Sequence, residues 1–306
     1  MNTEVKLKIA DIVIKMQSDF PFEKLSTKEK ESEVQERFNN FFYKGKSKPD
    51  IVIKVNIVDK LPEAEEAETI FITFHPDDKR ENWRLMKDGN TYIYRSPLEN
   101  NQQVFLINQA FDRVVAYLLP KKDRGWVWNI TDIIYDFLQV LLIQHLALRK
   151  KGVFVHSFGV KDVDKRGLLF AGKSGTGKST AAILWHKHSR AMVLNDDRII
   201  VRRLNGKFII YGCPWHGAFS DYLKSRIESA VLDKLFFIFH ADQNTFQNIC
   251  CKDAFGLLYP TLFPAFWDKR CLENVVFFSH KLIKNIGCFK LGFINNKKVI
   301  EFARKI

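Results

Sequence analysis

The sequence lacks the features that mark membrane, secreted and zinc-binding proteins. No uncharged apolar run reaches the roughly 18 residues that a membrane helix needs, since the richest stretch, Ile133–Leu148, contains Asp136 and His145. The N-terminus has no apolar core of the signal-peptide type. The five cysteines are odd in number and match no CxxC or zinc spacing. These absences predict a soluble, cytoplasmic protein with free thiols and no membrane span.

Blocks of like charge are also missing, although the formal net charge is +13. A basic balance favours anionic partners such as nucleotides, nucleic acid or acidic membranes. No aromatic residues interleave with the basic ones at the spacing of a base-binding surface. We therefore interpret the charge as a solvated basic surface and do not expect a nucleic-acid partner. The hydrophobic fraction of 46% permits a sizeable core, and the length suits two domains.

The first half of the chain has the pattern of a β-rich domain without a catalytic constellation. Apolar and polar residues alternate over Asp50–Val58 and less regularly over Val5–Ile14, and Thr69–Phe74 has the composition of a third strand. Asp88-Gly89-Asn90 is a turn signal. We therefore predict a β-rich accessory domain over residues 1–128.

The segment Thr131–Lys150 is predicted to form one helix at the domain junction. Its apolar residues recur at helical spacing and cover a wide face, and Gly152 follows where a helix end is expected. After Gly152 the sequence changes to short strands joined by tight turns, such as Asn205-Gly206. We therefore assign residues 129–306 to a second domain.

The second domain contains a glycine-rich loop of the form G-x-x-x-x-G-K-S between a predicted strand, Gly167–Ala171, and a predicted helix, Ser179–His188. Glycines let the backbone turn so tightly that successive N–H groups point at one anion, and the helix dipole adds positive potential. Lys178 can reach the β- and γ-phosphates, and the Ser179 hydroxyl can bind Mg²⁺. We predict that ATP binds here with Mg²⁺, with GTP and pyrophosphate as alternatives. The predicted nucleotide-binding residues are Gly172, Ser174, Gly175, Thr176, Gly177, Lys178, Ser179 and Thr180.

Two adjacent acids, Asp196 and Asp197, follow the next predicted strand, Ala191–Leu194. In P-loop folds the strand beside the loop ends near the phosphates, so a carboxylate there can hold the metal directly or through water. A second carboxylate can accept the proton of an attacking hydroxyl. The pair is therefore a candidate metal ligand and general base, and a solvated turn is the plainer alternative.

His156 lies on the strand Phe154–Val160, which is predicted to precede the loop strand. Antiparallel pairing through the short turn Lys161–Arg166 brings it near the phosphates. A lone histidine on a strand is more often structural than catalytic, and both interpretations stay open on position alone. Two further strands and an Asn-Gly hairpin follow the acids, which indicates a mixed sheet with antiparallel strands around the loop.

Together these segments resemble the HPr kinase/phosphorylase superfamily, whose nucleotide-binding core is shared with phosphoenolpyruvate carboxykinase. The resemblance rests on the order of Val155-His156-Ser157, Leu168–Thr180, Val193–Asp197 and Gly212–Gly217. It covers about residues 130–306. It implies an α/β fold with a mixed-sheet P-loop core of this type, preceded here by the β-rich N-terminal domain.

The resemblance implies an ATP-dependent phosphotransferase that acts on a hydroxyl. It implies that Asp196 is the general base and that Asp197 is a magnesium ligand with Ser179, although the two aspartates could exchange roles. It also implies catalytic roles for His156 and Lys178.

Trp215 and His216 in the Gly-Cys-Pro-Trp-His-Gly segment are further candidates by the same resemblance. The loop with which bacterial HPr kinases grip their protein substrate has no match in this sequence, and neither has their N-terminal domain. The acceptor therefore stays open between a small molecule, a peptide and a protein serine.

Two other functions also remain open. A non-catalytic ATP-binding regulatory or scaffold protein would be indicated by loss of the acids or of Lys178, and all are retained. A carboxykinase-like enzyme would need a clearer metal-binding set and an arginine cluster for an oxo acid. The sequence leaves the oligomeric state open, a homo-oligomer included.

Overall fold

The protein is described by a computed structural model that covers residues 3–20, 37–75, 79–96, 103–120, 130–217 and 227–306. The chain divides into two compact units, Met1–His145 and Leu146–Ile306. The boundary predicted between residues 128 and 129 lies outside the described residues. The helical residues that follow it, 130–145, group with the first unit.

Within the described residues, the first unit contains one mixed eight-stranded sheet in the order β1-β2-β3-β8-β7-β6-β5-β4. The pairs β2–β3 and β3–β8 are parallel and the other neighbours are antiparallel. The β-rich character predicted for this half agrees with this sheet. The strands are β1 Thr3–Ile9, β2 Ile12–Ser18, β3 Ile51–Ile57, β4 Glu68–Phe74, β5 Glu81–Asp88, β6 Thr91–Ser96, β7 Gln103–Asn108 and β8 Arg113–Leu118.

The prediction of a single strand over Val5–Ile14 is wrong, because β1 and β2 form a hairpin there. Ala10 and Asp11 make the turn with φ values of 48° and 58°. Such left-handed pairs suit the twist of two-residue hairpins and usually contain Asn or Gly. The sequence Ala-Asp carries a much weaker signal than Asn-Gly, which explains the error.

The single helix predicted over Thr131–Lys150 is also wrong in detail. The structure has two helices, α1 at Ile130–Ile134 and α2 at Phe137–Leu148, separated by a turn. No glycine or proline marks the break in the sequence. Phe137 at the start of α2 stacks on Phe105 with ring centroids 3.9 Å apart, so tertiary packing fixes where this helix begins.

The second unit contains a second mixed sheet, in the order β10-β9-β12-β13-β14-β16-β15, and β11 pairs with β9 beside β12. An extra parallel pairing joins β10 to β14. The pairings β10–β9–β12–β13–β14–β10 therefore form a closed circuit. The strands are β9 Gly152–Lys161, β10 Arg166–Ala171, β11 Met192–Asn195, β12 Arg198–Leu204, β13 Lys207–Tyr211, β14 Ser229–His240, β15 Thr245–Asn248 and β16 Gly287–Phe293.

The mixed sheet predicted around the glycine-rich loop is confirmed. The strand that leads into the loop, β10, is antiparallel to β9 and parallel to β14. Four phenylalanines sit side by side across β9, β10, β14 and β16, and neighbouring rings along this row are 4.3, 5.0 and 5.6 Å apart. Aromatic cross-strand pairs of this kind stabilise a sheet. The row consists of Phe158, Phe170, Phe236 and Phe289.

Helices cover the phenylalanine row on one side of this sheet. Trp185 of α3 (Lys178–His188) is buried and lies 5.7 Å from Phe170. The guanidinium of Arg304 in α6 (Lys298–Lys305) lies over Trp185 and donates to both carboxylate oxygens of the buried Asp162, at 3.0 and 2.7 Å. The last helix is thereby tied to the turn between β9 and β10. The remaining helices are α4 Cys251–Leu258 and α5 Lys269–Asn285, with a short 3-10 helix at Tyr259–Thr261.

Among the described residues, every helix falls short of the length and apolar character that crossing a bilayer requires. All five cysteines are free thiols, as predicted. Cys213, Cys271 and Cys288 are buried, and Cys250 and Cys251 are exposed. Burial raises the pKa of the Cys213 thiol to about 12, so this side chain acts as a neutral hydrogen-bonding group.

Candidate functional site

The glycine-rich loop begins where β10 ends, at Ala171, and ends where α3 begins, at Lys178. The strand and helix predicted on either side of the loop are therefore both present. Gly175 and Gly177 have φ values of 81° and 89°, a region that favours glycine. At Gly177 an added Cβ would also be crowded, since it would lie 2.8 Å from His240 Cε1 and 2.9 Å from Phe293 Cζ.

Lys178 is folded back onto its own loop. Its ammonium donates to the carbonyl oxygens of Gly172 at 2.9 Å and Lys173 at 3.0 Å. The side chain is buried, which lowers its pKa, and the negative charge of Asp197 acts in the opposite direction. The strand β9 also connects the loop to the acids, because Ser157 pairs with Ala171, the residue before the loop, and Ser157 N donates to the Asp197 carbonyl at 3.0 Å.

The other predicted loop residues differ in exposure. Thr176 closes a small turn through its hydroxyl, which donates to the Lys173 carbonyl at 2.9 Å. Ser174, Gly175 and Ser179 are exposed, and Thr180 is partly buried. The Ser179 hydroxyl is therefore accessible to a ligand at the start of α3.

A β-bulge positions the two acids. Both β11 and β12 run along β9, but β11 has one extra residue, Leu194, between the partners of Val160 and Gly159. Bulges of this kind re-aim the side chains that follow and often lie beside functional sites. The chain rejoins β9 where Ser157 N donates to the Asp197 carbonyl at 3.0 Å.

His156 and Asp197 form a close pair. The register of β12 places Arg198 opposite His156, and His156 Nε2 lies 3.1 Å from Asp197 Oδ1. The other oxygen, Oδ2, lies 3.1 Å from Arg198 Nε. Burial raises the pKa of Asp197, but the His156 hydrogen bond and the charges of Arg198 and Lys178 outweigh it, so the pKa lies below its ordinary value. Asp197 is therefore an anion at neutral pH.

Asp196 is held by the Gly-Cys-Pro-Trp-His-Gly segment. Its side chain is 2% exposed, and its Oδ1 accepts a hydrogen bond from Gly217 N at 3.0 Å. A Cβ on Gly217 would lie 3.1 Å from Asp196 Oδ2, so a larger residue would crowd the carboxylate. Trp215 is buried edge-on against Phe154, at 6.0 Å, which favours a structural role for this candidate. His216 Nδ1 lies 3.2 Å from the Gly217 carbonyl.

Two residues of this site were not identified from the sequence. Asn195 is buried and connects the acids to the segment that holds Asp196. Phe263 lies under the Arg198 guanidinium at 5.4 Å and near the His156 ring at 6.2 Å. It comes from the segment after α4, which bridges to β9 through Val155 and Leu262. Asn195 adjoins the acids in sequence and could have been suspected, whereas nothing local indicates Phe263.

The donor atoms of the site suit a magnesium–nucleotide complex. Mg²⁺ is usually held by one or two carboxylates, waters and substrate phosphates. Across the described part of the chain, no three His, Cys, Asp or Glu side chains converge into a protein-only metal cage. The Asp197 carboxylate and the Ser179 hydroxyl would supply hard oxygen ligands of the required kind, and the nucleotide would have to complete the coordination.

Comparisons with known proteins give a weak likeness among solved structures. No family model matches the chain, and no curated protein matches it. Among solved structures, the chain is similar to the HPr(Ser) kinase/phosphatase from Coxiella burnetii, with a TM-score of 0.24 and 15% sequence identity. The alignment covers 43% of this chain and 98% of that one. A likeness this weak does not show the family of this chain.

Proposed function

We propose that this chain is an ATP-dependent, magnesium-requiring phosphotransferase, which moves the γ-phosphoryl group to a hydroxyl of a small molecule, a peptide or a protein serine. One observation carries the proposal. A glycine-rich loop with its lysine and the two acids, a buried Asp196 and a partly exposed Asp197, lie on opposite sides of the same strand, β9. Phosphoryl transfer requires mainly positioning and charge stabilisation, and this arrangement offers both.

In this proposal the loop binds the triphosphate. The amides of Gly172–Ser179 and the N-terminus of α3 favour an anion. Lys178 now donates to two uncharged carbonyls, and hydrogen bonds between charged partners are stronger. A triphosphate therefore draws its ammonium away from them. Ser179 and Asp197 would hold Mg²⁺, which offsets the charge of the phosphate oxygens.

Asp196 is the proposed general base. Its backbone donor from Gly217 fixes one carboxylate oxygen, and the carboxylate takes the proton of the acceptor hydroxyl as that oxygen attacks the γ-phosphorus. The bond from the γ-phosphorus to the bridging oxygen breaks, and ADP leaves. His156 orients Asp197 through the 3.1 Å contact. In its protonated form it also adds positive charge beside the transferring group.

Transfer of labelled phosphate from γ-labelled ATP tests the proposal, with purified candidate acceptors and a cell extract as acceptor sources. We expect magnesium-dependent labelling that Lys178→Ala abolishes. In thermal melts, ATP with Mg²⁺ at about 100 times its Kd should stabilise the wild type by about 2.7 kcal/mol, and the variant should lose most of that shift.

The two measurements separate the alternatives. A melting shift without labelling of any acceptor would indicate an ATP-binding regulatory or scaffold protein. The absence of a shift at millimolar ATP and Mg²⁺ would refute nucleotide binding itself.

A further inference from the structure

We propose that Asn195 is the positioning residue that fixes both Asp196 and Asp197 relative to the phosphate loop. The inference rests on the proposed function, because such a role has meaning only if the two acids act on a bound nucleotide. Asn195 itself does not contact the reacting groups in this proposal. It acts through four hydrogen bonds, two from each end of its side-chain amide.

The donor end of the amide holds the segment around Asp196. Asn195 Nδ2 donates to the carbonyl oxygens of Cys213 and Trp215, at 3.0 Å each. Two residues beyond Trp215, Gly217 N donates to Asp196 Oδ1 at 3.0 Å. The orientation of the Asp196 carboxylate therefore depends on where Asn195 holds this segment.

The acceptor end holds the backbone at Asp197. Asn195 Oδ1 accepts from Asp197 N and Arg198 N, at 2.9 Å each. This double contact fixes the bend between β11 and β12 from which the Asp197 side chain reaches His156. The same amide therefore sets the positions of both acids, one through its nitrogen and one through its oxygen.

Few side chains could replace this amide. Asparagine combines two N–H donors with an oxygen that accepts two hydrogen bonds, and Asn195 uses all four while 2% exposed. Aspartate would keep the acceptor oxygen but lose both donors, and it would add a third negative charge beside Asp196 and Asp197. Alanine would leave two amides and two carbonyls without this partner, and buried polar groups are costly to leave unpaired.

The plain alternative is that Asn195 only stabilises the fold. A matched control exists in the same unit, since Asn274 of α5 is also buried and its Nδ2 donates to the Ala147 carbonyl at 3.0 Å. Asn274 belongs to no part of the proposed site. Asn195→Ala and Asn274→Ala should both lower the melting temperature, so stability alone does not distinguish the roles.

The deciding measurement is the gain in ATP affinity that Mg²⁺ produces, measured by calorimetry with Mg²⁺ and with EDTA. Loss of residues that orient metal ligands typically weakens metal affinity by about 10–100-fold. We therefore expect the magnesium-dependent gain in ATP affinity to be smaller by about tenfold or more in Asn195→Ala than in the wild type. Its affinity in EDTA should stay within about threefold of the wild type, because the loop is held by its own backbone. Asn274→Ala should keep the wild-type gain.

Either of two results for Asn195→Ala would overturn the inference. One is a magnesium-dependent gain equal to that of the wild type. The other is an equal loss of affinity with and without Mg²⁺, which would mean that the whole site collapses. If the wild type binds no ATP with Mg²⁺ or with EDTA, the proposed function itself is refuted. That outcome differs from the two results above, in which the wild type binds ATP.

Discussion

The phosphate loop and the acid segment are neighbours that the protein holds in place by different means. The loop is partly exposed, and backbone geometry sets its shape: two left-handed glycines and a lysine bonded to loop carbonyls. The acid segment Asn195–Asp197 is held by side-chain contacts to two other parts of the second unit, the segment 213–217 and β9. If the proposed function holds, the loop would exchange its own contacts for the triphosphate, whereas the acids would already be fixed before the triphosphate binds.

The largest expected effect comes from Asp196→Asn, which keeps the size of the side chain and removes the proposed base. We expect kcat to fall by about 10²–10⁴-fold, the range of general base catalysis. Nucleotide affinity should stay within about tenfold, because a base acts mainly in the transition state. Single-turnover transfer and calorimetry measure the two quantities. Full transfer by this variant would mean that Asp196 is not the base.

Substitution of His156 tests whether this neighbour of Asp197 contributes to catalysis or only to the structure of the site. We expect His156→Gln to lower kcat by about 10²-fold with little change in melting temperature, since the imidazole is about one-third exposed. Assays well below the melting temperature separate a loss of turnover from a loss of folded protein. Early melting with normal turnover would instead assign His156 a structural role.

Alanine substitutions at Gly177 and Gly206 compare two costs. At Gly177 the new side chain meets neighbouring atoms, whereas at Gly206 only the left-handed backbone opposes it. Both are left-handed, with φ values of 89° and 81°, but a Cβ at Gly206 meets no atom within 4 Å. Gly206→Ala should cost about 1–2 kcal/mol from the left-handed backbone. Gly177→Ala should cost about 1–3 kcal/mol more because of overpacking, and it should weaken ATP binding. Urea unfolding measures both variants. Equal losses would show that the loop can move away from His240 and Phe293.

The smallest expected effect is the pH dependence of folding stability that the Asp197 carboxylate contributes. Its pKa is lowered in the folded state from an ordinary value of 3.8, so it stabilises the fold above that pH. The stabilisation is lost as pH falls through the folded pKa. The difference in unfolding free energy between wild type and Asp197→Asn should therefore narrow as the pH falls below the ordinary value of 3.8. Exposed Asp242 provides the control. If the stability difference between wild type and Asp197→Asn stays constant with pH, the charge of Asp197 contributes nothing to folding stability.

The glycine-rich loop could be predicted from the sequence because the residues that define it lie close together in the chain. Glycine spacing, an adjacent lysine and flanking periodicity are all contained in the dozen or so residues around Gly172–Ser179. The antiparallel pairing of β9 with β10 followed from a short turn, and the structure has it. These features need no information from distant parts of the chain.

What could not be predicted depends on contacts between distant segments. Phe263 reaches Arg198 and His156 only because the segment after α4 bridges to β9. Asn195 can donate its two side-chain hydrogen bonds only after residues 213–217 fold against it. The hairpin at Ala10-Asp11 and the break before Phe137 were missed for a related reason, because weak local signals were overridden by pairing and packing.

The closed circuit of strands has a consequence for how the site comes apart. A strand at the edge of an open sheet can fray alone, but β9 and β10 have partners on both sides. Opening either of them disrupts two hydrogen-bonded ladders at once, so the loop and His156 should be lost only in a cooperative event. Amide hydrogen exchange in β9 and β10 should therefore approach the global unfolding limit, while the exposed edge strand β15 should exchange earlier.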